Sequence, residues 1–197
     1  VIQANVLGLD RSGLSPLPNG GDGIFLNDSG TGSSSNTTIG GTTAAERNLI
    51  SANAGSGVRF SGSDTFGNLL SGNYIGVGAS GLPAGNGSHG VHITTASRSN
   101  TLGGTTGLTL GSCSGSCNLI GSNAGAGVRI DSASSTFNAI RANALDANGA
   151  LGIDLGVTAG MTPNDGPLDG DSGPNGLQNF PVIAGAGSNS TDEAIDL

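Results

Sequence analysis

Three basic side chains occupy the same place in a repeated four-residue motif and could transfer protons or hold carboxylates. Arg59, His92 and Arg129 are the third residues of the segments GVRF, GVHI and GVRI. Arginine can act as a base or bind a carboxylate, and histidine transfers protons near neutral pH. If the segments are neighbouring strands, these side chains lie about 5 Å apart on one face. This column, Arg59–His92–Arg129, is therefore the candidate catalytic or ligand-binding site.

The neighbours of this column favour a different interpretation, in which the basic residues are solvated surface charge. One aspartate, Asp131, lies beside them, whereas carbohydrate-cleaving enzymes use paired carboxylates. Aromatic residues make up only 3% of the chain, so little surface exists on which sugars could stack. We therefore expect no catalytic residues, and an enzyme or a polysaccharide-binding module that uses the column is the alternative.

A group of aspartates lies in the turn-rich segment TPNDGPLDGDSGPNGLQ, residues 162–178. Oxygen ligands at alternate positions of a glycine-rich turn suit calcium, although the bidentate glutamate that ends an EF-hand loop is missing. We expect calcium to bind at Asp165, Asp169 and Asp171. A polar turn with ordinary side-chain caps is the alternative.

The two cysteines, Cys113 and Cys117, are close together in the segment CSGSC. We expect a disulfide that closes this small loop, which implies an oxidising compartment. A free thiol pair or half of a metal site is the alternative. No other cysteine is present and only His89 and His92 could add ligands, so a zinc site is disfavoured.

The elements that would position these residues are short strands that recur along the chain. First strands begin at five glycines, Gly23, Gly57, Gly90, Gly127 and Gly152. Second strands place inward Ile2, Ile39, Leu70, Leu102 and Ile140, and third strands place inward Leu7, Ile50, Ile75, Ile120 and Leu145. No single strand can bury its apolar residues, so the copies must stack. The pattern predicts an all-β chain folded as a right-handed parallel β-helix of about five rungs.

Asparagines mark the corners between these strands in two columns. The first column contains Asn68, Asn100 and Asn138, and the second contains Asn5, Asn48, Asn73, Asn118 and Asn143. Asparagine tolerates the left-handed conformation that a sharp corner needs, and stacked amides bond from rung to rung. We expect structural columns, and a polar binding surface is the alternative.

Composition and charge exclude several classes of function. The chain has 38 glycines without a Gly-X-Y period, which excludes collagen. Its formal net charge is −8 and its six basic residues are scattered, which disfavours nucleic acid and anionic membrane surfaces. No apolar run is long enough to span a membrane. We find no signal peptide at Val1, so we expect one to have been removed or the chain to be a piece of something longer.

The repeated pattern G-[IV]-x-[ILF] followed by N-x-I-x-x-N-x-I resembles right-handed parallel β-helix repeat proteins of the pectate-lyase-like group. RNLISANAGSGVRF, from Arg47, recurs as CNLIGSNAGAGVRI, from Cys117. Together with GIDLG and the tail TPNDGPLDGDSGPNGLQNFPVI, it is similar to large bacterial secreted or surface proteins. The resemblance covers about residues 1–183 and implies a location outside the cell, often beside adhesion-type domains. In enzymes of that group the sugar lies along the outside of the helix, so the resemblance implies that a site for binding or cleaving a polysaccharide would be sought at Arg59, His92 and Arg129. It implies little more about activity, because this fold hosts many functions.

We therefore expect a structural or adhesive module with a β-helix at residues 1–155 and a turn-rich cap or linker at 156–197. Its expected partners are further copies of itself, neighbouring surface domains or a polysaccharide. Val1 enters in mid-rung, since VIQANVLG supplies a second and a third strand only. Open edges recruit strands, so residues 192–197 of one copy would complete the broken rung of the next and give a head-to-tail fibre. A chain that was merely cut at Val1 is the alternative.

Overall fold

Short β-strands make up most of the regular structure of this chain. The computed structural model describes residues 1–28, 32–109, 112–165, 170 and 172–179. Helix in these residues is limited to two 3-10 turns, Ala44–Glu46 and Pro174–Leu177. The strands are, in chain order, β1 (Val6–Leu7), β2 (Ile24–Asn27), β3 (Thr38–Gly40), β4 (Leu49–Ile50), β5 (Val58–Ser61), β6 (Leu69–Ser71), β7 (Tyr74–Ile75), β8 (Val91–Thr94), β9 (Thr101–Gly103), β10 (Leu108–Thr109), β11 (Ser112–Cys113), β12 (Leu119–Gly121), β13 (Val128–Ile130), β14 (Ala139–Arg141), β15 (Ala144–Asp146) and β16 (Ile153–Leu155). The predicted all-β class is confirmed.

All of these strands except β10 and β11 belong to three parallel sheets. The first sheet has the order β2-β5-β8-β13-β16, the second β3-β6-β9-β14 and the third β1-β4-β7-β12-β15. Along the chain the strands visit the three sheets in turn, and we call each such visit to all three sheets a circuit. The strands β10 and β11 form an antiparallel hairpin within one circuit. This topology is compatible with a β-solenoid.

The register of the sheets follows the repeated motif. In the first sheet Val58 pairs with Val91, Val91 with Val128, and Val128 with Ile153. The predicted inward columns of the second and third sheets pair residue for residue. Even Ile2, outside any strand, forms a parallel bridge with Ile39. Equivalent residues of successive circuits therefore lie beside one another.

The core is a column of apolar side chains, nearly all of them aliphatic, and every circuit contributes to it. Its fully buried members include Ile39, Ile50, Val58, Phe60, Leu70, Ile75, Val91, Ile93, Leu102, Ile120, Val128 and Ile130. Burying one such side chain contributes about 1.5–3 kcal/mol. Because each strand adds only one or two of them, this stabilisation exists only while circuits are stacked.

The glycines that open the first four strands of the first sheet, Gly23, Gly57, Gly90 and Gly127, allow neighbouring circuits to approach closely. A Cβ built on Gly90 would lie 2.4 Å from the Cγ2 of Ile120 and 2.6 Å from the carbonyl oxygen of Gly127. Gly57 faces the same obstacle, because its Cβ would lie 2.5 Å from the Cγ2 of Ile75. Close packing of the backbone against the core therefore explains this position of the motif.

Of the two reasons predicted for the corner asparagines, the left-handed conformation is wrong and the bonding of stacked amides is confirmed. At six of the eight predicted positions the left-handed residue is the one before the asparagine, namely Ala4, Gly67, Gly72, Ser99, Phe137 and Ala142, whereas Arg47, before Asn48, has a φ of −62°. None of the predicted column asparagines has a positive φ. The asparagines occur at the corners because of the hydrogen bonds that their side chains form, and not because their backbone adopts a left-handed conformation.

Candidate functional site

The predicted basic column lies on the outer face of the first sheet. Arg59 pairs with His92 in the neighbouring strand, and His92 pairs with Arg129 in the next. Asp154 of β16 continues the row beyond Arg129. Alternation along the strands places these side chains opposite the core, as the motif predicts.

Arg129 is buried, although it was expected to be solvated surface charge. It is 4% exposed and forms an ion pair of 2.5 Å with Asp154, which is 2% exposed. Its guanidinium also donates to the carbonyl oxygens of Val157 and Thr158 at 3.2 and 3.4 Å, and Gly160 N donates to Asp154. The segment after β16 thus folds over this pair, which holds the segment in place and is not open to a substrate.

His92 bonds to the carboxylate of Asp131 in the following circuit. The distance from His92 Nε2 to Asp131 Oδ2 is 2.8 Å. Burial alone would raise the pKa of Asp131, but bonds from the Thr94 hydroxyl and from His92, together with the nearby charges of His92 and Arg129, lower it. Because an ionised carboxylate only accepts, Nε2 of His92 carries the proton. This bond joins two neighbouring circuits.

A second histidine, His89, lies beside His92, and nothing in the motif marked it as part of this cluster. The two ring centroids are 5.2 Å apart. The backbone N–H of Ala126 donates to His89 Nδ1 at 3.0 Å, so the neutral ring carries its proton on Nε2. Burial lowers the pKa of His89, and the nearby His92 and Arg129 lower it further. With its lone pair in use, His89 is a poor metal ligand.

Arg59 is the most accessible member of the column. Its side chain is 38% exposed, its guanidinium lies 3.9 Å from Asp22, and it stands over the ring of Phe25 with 5.3 Å to the ring centroid. Half-exposed Phe25 and Arg59 therefore form a small mixed surface. Since Arg129 is buried, the three basic residues do not make one continuous accessible site.

The structure joins the predicted asparagines into continuous hydrogen-bonded columns. In the longer column Asn5, Asn48, Asn73 and Asn118 each donate through Nδ2 to the Oδ1 of the next member, ending at Asn143, over 2.8–3.1 Å. In the shorter column Asn68 donates to Asn100, and Asn100 to Asn138. Most of these side chains are buried, which disfavours a binding surface for ligands.

The shorter column extends into the segment that was expected to cap the stack. The backbone N–H of Asn138 donates to Asn175 Oδ1 at 2.7 Å, and Asn175 Nδ2 returns a bond to the carbonyl oxygen of Asn138. Leu177 then lines an apolar cleft of about 430 Å³ with Ile140 and Leu155. Asn175 thus stands one step beyond Asn138 in the same column.

A third column of asparagines was missed in the sequence. Asn19, Asn53, Asn86 and Asn123 donate through Nδ2 to the next member, ending at Asn148, over 2.8–3.0 Å. Each of these five residues lies four positions before the glycine of a first strand. That constant offset was the available signal. Successive circuits are therefore joined at their corners by side-chain amides, most of which are buried.

Cys113 and Cys117 form the predicted disulfide. It lies at the end of the β10–β11 hairpin. The disulfide is thus separate from the basic column.

Only part of the predicted calcium site lies in the described residues. Asp165 accepts bonds from Gly170 N at 2.9 Å and from Asn179 Nδ2 at 3.3 Å. Asp169 and Asp171 lie outside the described residues, as do residues 192–197, the predicted donor strand. Within the described part of the chain no group of three or more His, Cys, Asp or Glu could hold a metal ion.

Comparisons with known proteins add no family assignment. No family model, no curated protein and no solved structure matches the chain. Among the residues that the structure describes, no helix is long and apolar enough to cross a membrane.

Proposed function

We propose that this chain is an extracellular structural or adhesive module, built as a right-handed parallel β-helix of about five rungs with a C-terminal cap. One observation carries the proposal: polar side chains that could serve a ligand are used to hold successive circuits together. The asparagine columns, the Arg129–Asp154 pair and the His92–Asp131 bond all join neighbouring circuits. The resemblance to bacterial surface proteins and the disulfide support a location outside the cell.

Antibodies against the chain test the location. They should label intact cells of the source bacterium or the culture medium, and labelling that requires broken cells would contradict the proposal. Handedness is tested separately by an experimental structure, in which the crossover between parallel strands should be right-handed.

An enzyme assay tests the structural role. The intact chain should release no unsaturated or reducing ends from polygalacturonate or other uronate polymers, because Arg129 is not accessible to them. Cleavage that is retained by Arg59→Ala would point to another site. Cleavage that Arg59→Ala abolishes would establish the lyase alternative.

Binding of acidic polysaccharide is a second candidate, favoured by the accessible pair of Arg59 and Phe25. A guanidinium beside an exposed ring can hold a carboxylate while a sugar packs on the ring. Calorimetric titration with oligogalacturonate should then give a heat that Arg59→Ala removes. Arg11→Ala, a change at another exposed arginine, is the matched control.

Calcium at Asp165, Asp169 and Asp171 and head-to-tail assembly through residues 192–197 stay predictions. Calcium added after chelation should raise the melting temperature of the chain, and an unchanged melting temperature and heat of binding would exclude the site. Light scattering should show larger particles for the intact chain than for a variant that lacks residues 192–197. Equal particle sizes would exclude the assembly.

A further inference from the structure

The residue that precedes the glycine of each first strand forms a contact between successive circuits. The residues at this position are Asp22, Ser56, His89, Ala126 and Leu151. Ser56 N donates to Asp22 Oδ1 at 2.7 Å, and Ala126 N donates to His89 Nδ1 at 3.0 Å. The same backbone contact is thus made twice, once with a carboxylate and once with an imidazole as acceptor.

The two acceptors respond differently to acid. A carboxyl group keeps an acceptor oxygen in both protonation states, whereas a protonated imidazole has no acceptor left. Protonation of His89 therefore turns the partner of the Ala126 N–H from an acceptor into a donor. Next to this contact, Gly125 N donates to the carbonyl oxygen of Ser88 at 2.7 Å and Gly90 N to that of Ala126 at 3.0 Å.

We propose that the contact between His89 and Ala126 is an acid-sensitive latch between two successive circuits. It is closed when the His89 ring is neutral and opens when the ring takes up a proton. The Asp22–Ser56 contact joins another pair of circuits and does not open on protonation, because a carboxyl group remains an acceptor.

The charged groups around His89 keep the latch closed at neutral pH. His92 and Arg129 oppose a positive charge on the ring, whereas Asp131 and Asp154 favour it. The combined effect of burial, His92 and Arg129 is larger than that of the two aspartates. The pKa of His89 therefore lies below its ordinary value of about 6.5. Since the folded state holds this proton less tightly than the unfolded state, the latch contributes stability above about pH 6.5, and that contribution is lost as pH falls.

Hydrogen exchange followed by NMR on the intact chain between about pH 8 and pH 5 tests the latch. Between about pH 6.5 and the lower midpoint of the His89 ring titration, protection of the Ala126 amide, corrected for intrinsic exchange, should fall by up to about tenfold per pH unit, and it should level off below the midpoint. The Ser56 amide in the same sample should keep its protection. Corrected protection of Ala126 that stays constant while His89 titrates would overturn the proposal.

Two variants separate the latch from general acid sensitivity. His89→Asn keeps an acceptor that does not titrate, so protection of Ala126 should become independent of pH in this range. His92→Asn should move the midpoint to higher pH, because it removes a group that lowers the pKa of His89. An unchanged pH dependence in His89→Asn, or an unmoved midpoint in His92→Asn, would contradict the latch.

Discussion

Asn73 uses every hydrogen-bonding atom of its side chain inside the protein. Its Nδ2 donates to Asn118 Oδ1 and to the carbonyl oxygens of Ile39 and Ser71. Its Oδ1 accepts from both the backbone N–H and the Nδ2 of Asn48. An amide supplies two donor hydrogens and an acceptor oxygen, whereas a carboxylate only accepts and a hydroxyl has a single donor hydrogen. Single residues of this kind join three circuits.

Replacing Asn73 by Asp should destabilise the chain strongly. The carboxylate cannot donate, so it faces buried acceptors that it repels, and we expect a loss of at least about 3 kcal/mol in the free energy of unfolding. Chemical denaturation measures the change. Asn5→Asp, at an exposed member of the same column, should cost much less. Equal losses in the two variants would show that burial does not govern the effect.

Phe137 adopts a left-handed backbone conformation, which is unfavourable for a residue with a bulky side chain. Its φ is 58° and its side chain is 83% exposed, so it is strained without packing in return. Replacing it by glycine should raise the free energy of unfolding by up to about 1 kcal/mol, because the strain disappears. Thermal unfolding checks this, and Thr136→Gly, at a residue without positive φ, should destabilise instead. A lower melting temperature for Phe137→Gly would refute it.

At the scale of the strand, the elements are two to four residues long and depend on their neighbours. The glycine before β2, β5, β8 or β13 lets those neighbours approach closely. Gly152 differs from Gly90, because the nearest atom to its added Cβ is 3.5 Å away, an ordinary contact. The two positions therefore offer a matched pair of substitutions.

Gly90→Ala should cost about 1–3 kcal/mol in the free energy of unfolding, because the added carbon meets Ile120 and a backbone carbonyl. Gly152→Ala should be neutral or stabilising by a few tenths of a kcal/mol, because it restricts the unfolded chain. Denaturant unfolding of both variants measures the difference. Similar losses would indicate that backbone flexibility, and not close approach, selects glycine here.

The strands and their register could be predicted because one motif recurs and alternation fixes its faces. The alternation also placed Arg129 correctly on the outer face. It could not predict that residues 157 and 158 fold back to cover Arg129, because that depends on contacts distant in sequence. His89 was missed for a similar reason, since its partner Ala126 belongs to the next circuit. The third asparagine column was predictable from its constant offset before glycine.

At the scale of the whole molecule, stability is the sum of contacts between neighbouring circuits. The disulfide does not join neighbouring circuits, because it closes a loop of a few residues beside the hairpin. The fold therefore rests on the buried columns and not on the covalent link.

Reduction of the Cys113–Cys117 disulfide should leave the chain folded. A loop this short contributes at most about 2 kcal/mol, which corresponds to a melting temperature lower by less than about 8 °C. Circular dichroism with and without a reducing agent measures the shift, and thiol titration confirms that reduction is complete. Loss of the β-sheet spectrum on reduction would show that the hairpin controls the stack.

The amides of all three asparagine columns point the same way along the stack. In each pair from Asn5 to Asn143, from Asn19 to Asn148 and from Asn68 to Asn138, the Nδ2 of the earlier circuit donates to the Oδ1 of the later circuit. Their dipoles therefore add, and each bond polarises the next. The stack has an electrical polarity, with acceptor oxygens facing one pole and donor nitrogens facing the other. Two stacks that met through like poles would oppose acceptor to acceptor or donor to donor, so only a one-way array could continue the columns.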